Sequence, residues 1–322
     1  MSFTPHDRFT RVGGGQRKET SGRHAGPRAT KRDPFVRGLY ERAKRLGTWN
    51  PAEIDLSLDA EQWHGLTLQE QELLIRVSAL FVDGEEAVVR DLLPLAYRIG
   101  REARLDDELF VTAWLWEEGK HADFFHRYSE EVFRGRLTPE SDRALSGVLL
   151  LDVELPAVMQ ALFDDGSAAA QTRALVTYCL VVEGVLAELG HGLFHELLTE
   201  RGLLPGLRHG SALVRRDESR HIAYGMHALT RLQRADPANR RIAHDRARAL
   251  VPLLTSLADE ASVRPEPGPP SGAPRVLDKP LERLFRRLER IDRDAARQSS
   301  SIVDSVRSAA AATSRSISGG TG

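Results

Sequence analysis

The chain has 322 residues, enough to bury a sizeable core, and its formal net charge of -1 excludes a dominant nucleic-acid or other polyelectrolyte partner. Good helix formers (Ala, Leu, Glu, Arg) recur throughout, and a single cysteine, Cys179, excludes an internal disulfide and reads as a buried structural thiol. The N-terminus carries no apolar h-region and no uninterrupted apolar run reads as a membrane span, so a cytoplasmic chain without a transmembrane segment is expected.

Residues 1–34 are rich in Gly, Arg and Lys, with GGG at 13–15, and predict a disordered basic tail, because they hold too little apolar surface to offset the entropy of ordering. From 35 to 262 the pattern is that of one all-α domain. A short helix is predicted over 35–46, then the turn-rich TWNPAEIDLSLD, then long helical blocks at 68–99, 102–133, 139–164, 169–200, 207–233 and 237–261. Gly100, Thr138-Pro139-Glu140, and Gly202 with Pro205 and Gly206 mark the breaks. A Pro/Gly linker over 263–278 leads to a charged helix near 279–297 and a disordered Ser/Ala-rich tail to 322.

Two of these helices carry Glu-x-x-His: Glu118-Gly-Lys-His121 and Glu218-Ser-Arg-His221. The i,i+3 spacing sets both side chains on one helix face. Glu85 and Glu183 stand on the helices just upstream. One Glu from each of two helices, with Glu-x-x-His from each of two others, is the donor set of a two-metal carboxylate centre in a helical bundle. The tetrad alone is weak, since it also occurs at Glu61–His64 and Glu188–His191.

Height and face separate the proposed pair from the others. Glu85 and Glu118 straddle the break at Gly100 nearly symmetrically, each roughly 25 Å from it at 1.5 Å per residue. Glu183 and Glu218 straddle Gly202 in the same way. Each also lies within an apolar stripe: Glu85 among Phe81, Val82, Val88 and Leu92; Glu118 among Val111, Trp114 and Phe125; Glu183 among Val176, Cys179 and Leu180; Glu218 with Val214, Ile222 and Leu229. Four buried carboxylates are costly without partners. Two divalent cations would balance them, with the imidazoles completing the shell; oxygen and imidazole donors suit iron and manganese. Glu188 falls about 140° from Glu183 at 100° per residue and is set aside with His191, and Glu61–His64 precedes the long helices.

With the run Trp49-Asn-Pro-Ala-Glu-Ile-Asp-Leu-Ser-Leu-Asp, the six ligands resemble the small subunit of ribonucleotide reductase, over about 35–262. The resemblance implies a ferritin-like four-helix bundle core with additional helices. Phe125 stands four residues after His121, where a typical reductase subunit has its radical-forming tyrosine, and the C-terminal stretch ending SRSISGGTG contains no tyrosine. The chain looks more like the related ligand-binding oxidases, which place a tyrosine five residues before the third glutamate and a valine three after the first. Tyr178 and Val88 occupy those positions. In that family the two side chains are joined by an ether bond; read alone, each is equally a packing residue.

What the resemblance implies is a manganese/iron centre, with di-iron open because the same ligands bind both. Glu85 and His121 would hold manganese, Glu183, Glu218 and His221 iron, and Glu118 would bridge. Asp217 would orient His121, with Trp49 as its further partner; read from the sequence alone, Asp217 could instead pair with Arg215 or Arg216. Dioxygen as oxidant, a long-chain fatty acid bound through its carboxylate, and a homodimer also follow from the resemblance. A reductase small subunit, a desaturase- or N-oxygenase-like di-iron enzyme, and an iron-storage protein are the alternatives.

Overall fold

The computed structural model describes residues 31–136, 145–198, 201–261 and 277–297. The expected tail up to residue 30, the expected linker over 263–278 except for its last two residues, and the tail beyond 297 lie outside these residues. Helix α1 is Pro34–Leu46, with proline at its first position and the Asp33 carboxylate accepting from the Phe35 and Val36 N–H groups. The fold begins before that helix: the Lys31 N–H donates to Ala103 O, and Arg32 pairs with buried Asp106 at 3.0 Å. The domain boundary expected at 34/35 therefore falls a few residues too late.

After a 3₁₀ turn over Pro51–Glu53 and α2 (Ser57–Trp63), the long helices follow. Helix α3 (Leu68–Asp91) starts with a capping box, in which Thr67 and Glu70 satisfy each other's N–H groups. The block expected over 68–99 is two helices, because Pro94 lacks an N–H and α4 restarts at Leu93–Arg101. Gly100 lies inside α4; the reversal into α5 (Leu105–Glu131) comes at 102–104, where Ala103 adopts φ 55°. Residues 145–163 run as α6 (Leu145–Val148), a π turn over Leu149–Glu154, α7 (Leu155–Gln160) and a 3₁₀ turn. Helix α8 (Ala168–Leu175) passes without a break into a π-helical stretch, Val176–Ala187, and then α9 (Glu188–Leu198). Helices α10 (Pro205–Ala235), α11 (Ala238–Ala261) and α12 (278–297) complete the domain. No strand occurs among the described residues.

Helices α3 and α5 pack as one hairpin and the α8–α9 segment packs on α10 as the other; α5 meets α10, and α3 meets α9, closing a four-helix bundle. Helix α1 lies across α5 and α10, and α11 against α8 and the π stretch. The apolar core is divided in two: one cluster contains Val88, Trp114, Tyr178 and Leu229, the other Phe81, Phe125, Phe194 and Val214. Two stretches, Leu145–Phe163 and Ala168–Gly192, are long and apolar enough to cross a membrane by length and composition, although acidic residues interrupt both. The second is 89% buried inside the protein and serves as a bundle helix.

Helix α10 starts without a side chain of its own as cap. Asp59 of α2 substitutes, its carboxylate accepting from the Gly206 and Leu207 N–H groups at 2.8 Å each and from the Tyr128 hydroxyl at 2.9 Å. Replacing Asp59 with alanine strands three buried donors and should cost about 3 kcal/mol, read as a lower midpoint in urea unfolding with an unchanged slope.

Candidate metal centre

The polar layer between the two apolar clusters holds the predicted ligands. Two groups of donor atoms form there, Glu85–Glu118–His121 and Glu118–Glu183–His221; within each, the atoms lie within 4.8 Å of one another, and both use Glu118. All five residues are buried. The sixth, Glu218, is outside these groups but lines the same cavity as Glu85, Glu118 and Glu183. His121 Nδ1 stands 3.3 Å from Glu118 Oε2 and 3.5 Å from Glu85 Oε2; His221 Nδ1 stands 3.2 Å from Glu183 Oε1 and 3.3 Å from Glu118 Oε1. Each imidazole thus turns Nδ1 inward and Nε2 outward. Glu183 Oε2 is buried with no hydrogen-bond partner among the described residues, as a carboxylate oxygen reserved for a cation would be. This donor set fits two divalent cations.

The outward nitrogens are held in a reciprocal way. His121 Nε2 lies 3.4 Å from Asp217 Oδ2, which also accepts from Trp49 Nε1 at 2.8 Å and Lys120 Nζ at 2.9 Å. Trp49 stacks over His121, ring centroids 6.1 Å apart. His221 Nε2 lies 2.9 Å from Glu117 Oε2, and Arg220 donates to both Glu117 and Asp217. Asp217 is fully buried, so the alternative of a surface pair with Arg215 or Arg216 does not occur. Each helix repeats one local pattern, acid–Glu–x–base–His, at Glu117–His121 and Asp217–His221, and the acid of each serves the histidine of the other. Glu117, Lys120 and Arg220 escaped the sequence reading; the repeated pattern was the signal.

Tyr178 and Val88 both reach the layer. The Tyr178 hydroxyl donates to Glu118 Oε1 at 3.2 Å, an oxygen that also accepts from Trp114 Nε1 at 2.6 Å. Val88 lines the cavity with Leu80, Phe81, Val182 and Leu186. Tyr178 and Glu183 lie in the π stretch, where i→i+5 bonding brings residues five apart close to one another along the helix face. The same change removes the angular ground for setting aside Glu188, which in fact turns away to pair with Arg283 and Arg287 of α12. His191, set aside with it, borders the centre, Nε2 3.4 Å from Glu218 Oε2. Phe125, at the expected position of a radical tyrosine, is buried and stacked on Phe81.

Residues 31–261 match the ribonucleotide reductase small chain family. The chain belongs to that family. Among solved structures, an R2-like ligand-binding oxidase with aerobically reconstituted Mn/Fe cofactor is 28% identical, with a TM-score of 0.72 and coverage of 81% of this chain and 93% of that one. A tyrosine-to-phenylalanine variant of R2-like ligand-binding oxidase, also with aerobically reconstituted Mn/Fe cofactor, is 30% identical at the same coverage and TM-score. A glutamate-to-aspartate variant is 31% identical, with a TM-score of 0.69 over 82% of this chain and 85% of that one.

The electrostatics of this family member favour cation uptake with proton release. Burial pushes the Glu85 carboxyl up to about 8 and raises Glu183 well above the usual range. Burial acts on Glu118 too, but hydrogen bonds and charge from His121 and His221 outweigh it and hold that carboxyl well below its ordinary value. Burial disfavours charge on both imidazoles; Glu85 and Asp217 around His121, and Glu183 and Glu117 around His221, overcome it and raise both. A cation entering at pH 7 must therefore displace protons. Anaerobic Mn(II) loading followed by pH-stat should show release at pH 7 that shrinks by pH 9, above the Glu85 value; release independent of pH would contradict the ligand set. Glu117→Gln weakens the acceptor that holds His221, so metal affinity should fall ten- to a hundredfold in chelator competition, with the fold retained.

Proposed function

We propose that the chain is a dioxygen-using oxidase with one manganese and one iron ion, with di-iron as the variant the same donors allow. The observation that carries this reading is the pair of carboxylate–imidazole groups sharing Glu118, with the Tyr178 hydroxyl on Glu118 and Val88 on the wall of the same cavity. Glu85 and His121 would hold manganese, Glu183, Glu218 and His221 iron, and Glu118 would bridge. When bound, the two ions supply the redox equivalents for dioxygen reduction.

The chain's own residues do the rest. Asp217 with Trp49, and Glu117 with Arg220, fix the two imidazole rings so that Nδ1 faces the centre. Phe81, Leu80, Val182 and Leu186 give the cavity an apolar wall beside carboxylate-lined ground, which suits an aliphatic chain ending in a carboxylate. A long-chain fatty acid is the ligand we assign to it, its headgroup toward the metals. Glu118 holds the Tyr178 hydroxyl in the layer, where oxidation would join its oxygen to Val88 Cβ. One O–H and one C–H bond break, one O–C bond forms, and two electrons and two protons pass to dioxygen. The resemblance adds a homodimer to this reading, and we place the chain in the cytosol on its N-terminal composition.

Peptide mass spectrometry on protein loaded anaerobically with Mn(II) and Fe(II), then exposed to air, tests the proposal. A peptide joining the Val88 and Tyr178 regions, lighter by two hydrogens, is expected, and it should be missing from Tyr178→Phe. Separate peptides alongside dioxygen consumption would leave an oxidase without the cross-link and move desaturase-like chemistry ahead.

A further inference from the structure

A second pocket reaches the same layer from the groove between α9 and α10, and it shares no lining residue with the apolar cavity. Its outer wall carries Arg208, His209 and Arg215, all exposed and none in an ion pair among the described residues. Its floor carries His191 and Ser211, 4% and 6% exposed. Neither ring nitrogen of His191 nor Ser211 Oγ has a hydrogen-bond partner among the described residues. The His191 ring is packed on one side by Phe81, centroids 4.8 Å apart, and its Nε2 stands 3.4 Å from Glu218 Oε2 without the alignment of a hydrogen bond.

Buried polar atoms in native proteins almost always have partners; with Nε2 turned to Glu218, His191 Nδ1 and Ser211 Oγ are the two left without one on the lining of this pocket. No acidic side chain lines the groove among the described residues, and two arginines stand at its mouth, so its charge favours an anion. A bound water could meet the floor atoms, but it would make no use of the positive charge gathered at the mouth. A small anion with two or more oxygens meets both conditions, accepting hydrogen bonds on the floor and charge at the rim.

We propose that the α9–α10 groove is a binding site for a small oxyanion, a carboxylate or a phosphate. Ser211 and His191 donate to its oxygens, and Arg215, with Arg208 and His209, balances its charge. An occupant would sit one side chain from Glu218, with His191 between the two. The site needs no metal, so its failure and the failure of the oxidase reading are separable.

The test is calorimetric titration of the full-length chain at fixed pH and ionic strength, with inorganic phosphate in one arm and acetate in the other. One anion per chain is expected in at least one arm, and the tighter arm names the class. Arg215→Gln, a substitution at an exposed position, and Ser211→Ala should each weaken that binding tenfold or more. Arg290→Gln on α12, remote from the groove, should leave it unchanged. Unfolding midpoints of all three variants control for the fold. Absence of saturable binding in both arms, or equal affinity in wild type, Arg215→Gln and Ser211→Ala, would overturn the assignment.

Discussion

The burial of uncompensated negative charge at mid-height of the bundle governs this structure. Six carboxylates lie buried in one layer, Glu85, Glu117, Glu118, Glu183, Asp217 and Glu218, facing two buried cations, Lys120 and Arg220. The excess is four negative charges, the charge of two divalent cations when both imidazoles are neutral. Left alone, such a layer is tolerated only by protonating acids or charging histidines, which is the direction in which Glu85, Glu183, His121 and His221 all shift. Metal affinity and fold stability are therefore drawn from the same electrostatic imbalance.

The surrounding architecture supplies the rigidity this layer needs. Apolar clusters seal it above and below, with Phe81, Phe125 and Val214 on one side and Trp114, Tyr178 and Leu229 on the other. Side chains from α1's flank and the loop after it complete the seal: Trp49 stacks on His121, and the Gly47 carbonyl accepts from Lys120 at 2.7 Å. The turn-rich run at 48–59 does more than connect helices, since it delivers Trp49 to the centre and Asp59 to the start of α10. Within an ordinary packed bundle the rest is repetition of apolar stripes, and the polar layer decides the register between them.

Much of this was legible in the chain. Carboxylates inside apolar stripes at matched heights identified the residues that meet in the layer, because burial of charge leaves a mark that composition does not hide. The two helix hairpins survived a misplaced turn: Ala103 makes the reversal that Gly100 had been assigned, since a three-residue turn bonded to Lys31 can hold an alanine at positive φ. What escaped was set by geometry that no local pattern encodes. A π stretch keeps the composition of an apolar α-helix while changing the angle per residue, so reasoning at 100° per residue does not hold beyond Glu183, and His191 was set aside although it borders Glu218. Glu117 and Arg220 look like surface residues of a charged helix until the partner helix is placed beside them.

The crossed support of the two histidines has a further meaning. Asp217, on α10, steadies a ring on α5, and Glu117, on α5, steadies a ring on α10, so the two helices are latched to each other twice at one level. A slide or rotation of either helix disturbs both rings together. The two metal positions then share a single mechanical fate: a substitution that loosens one loosens the other, and selectivity at one position cannot be retuned by evolution without compensation on the opposite helix.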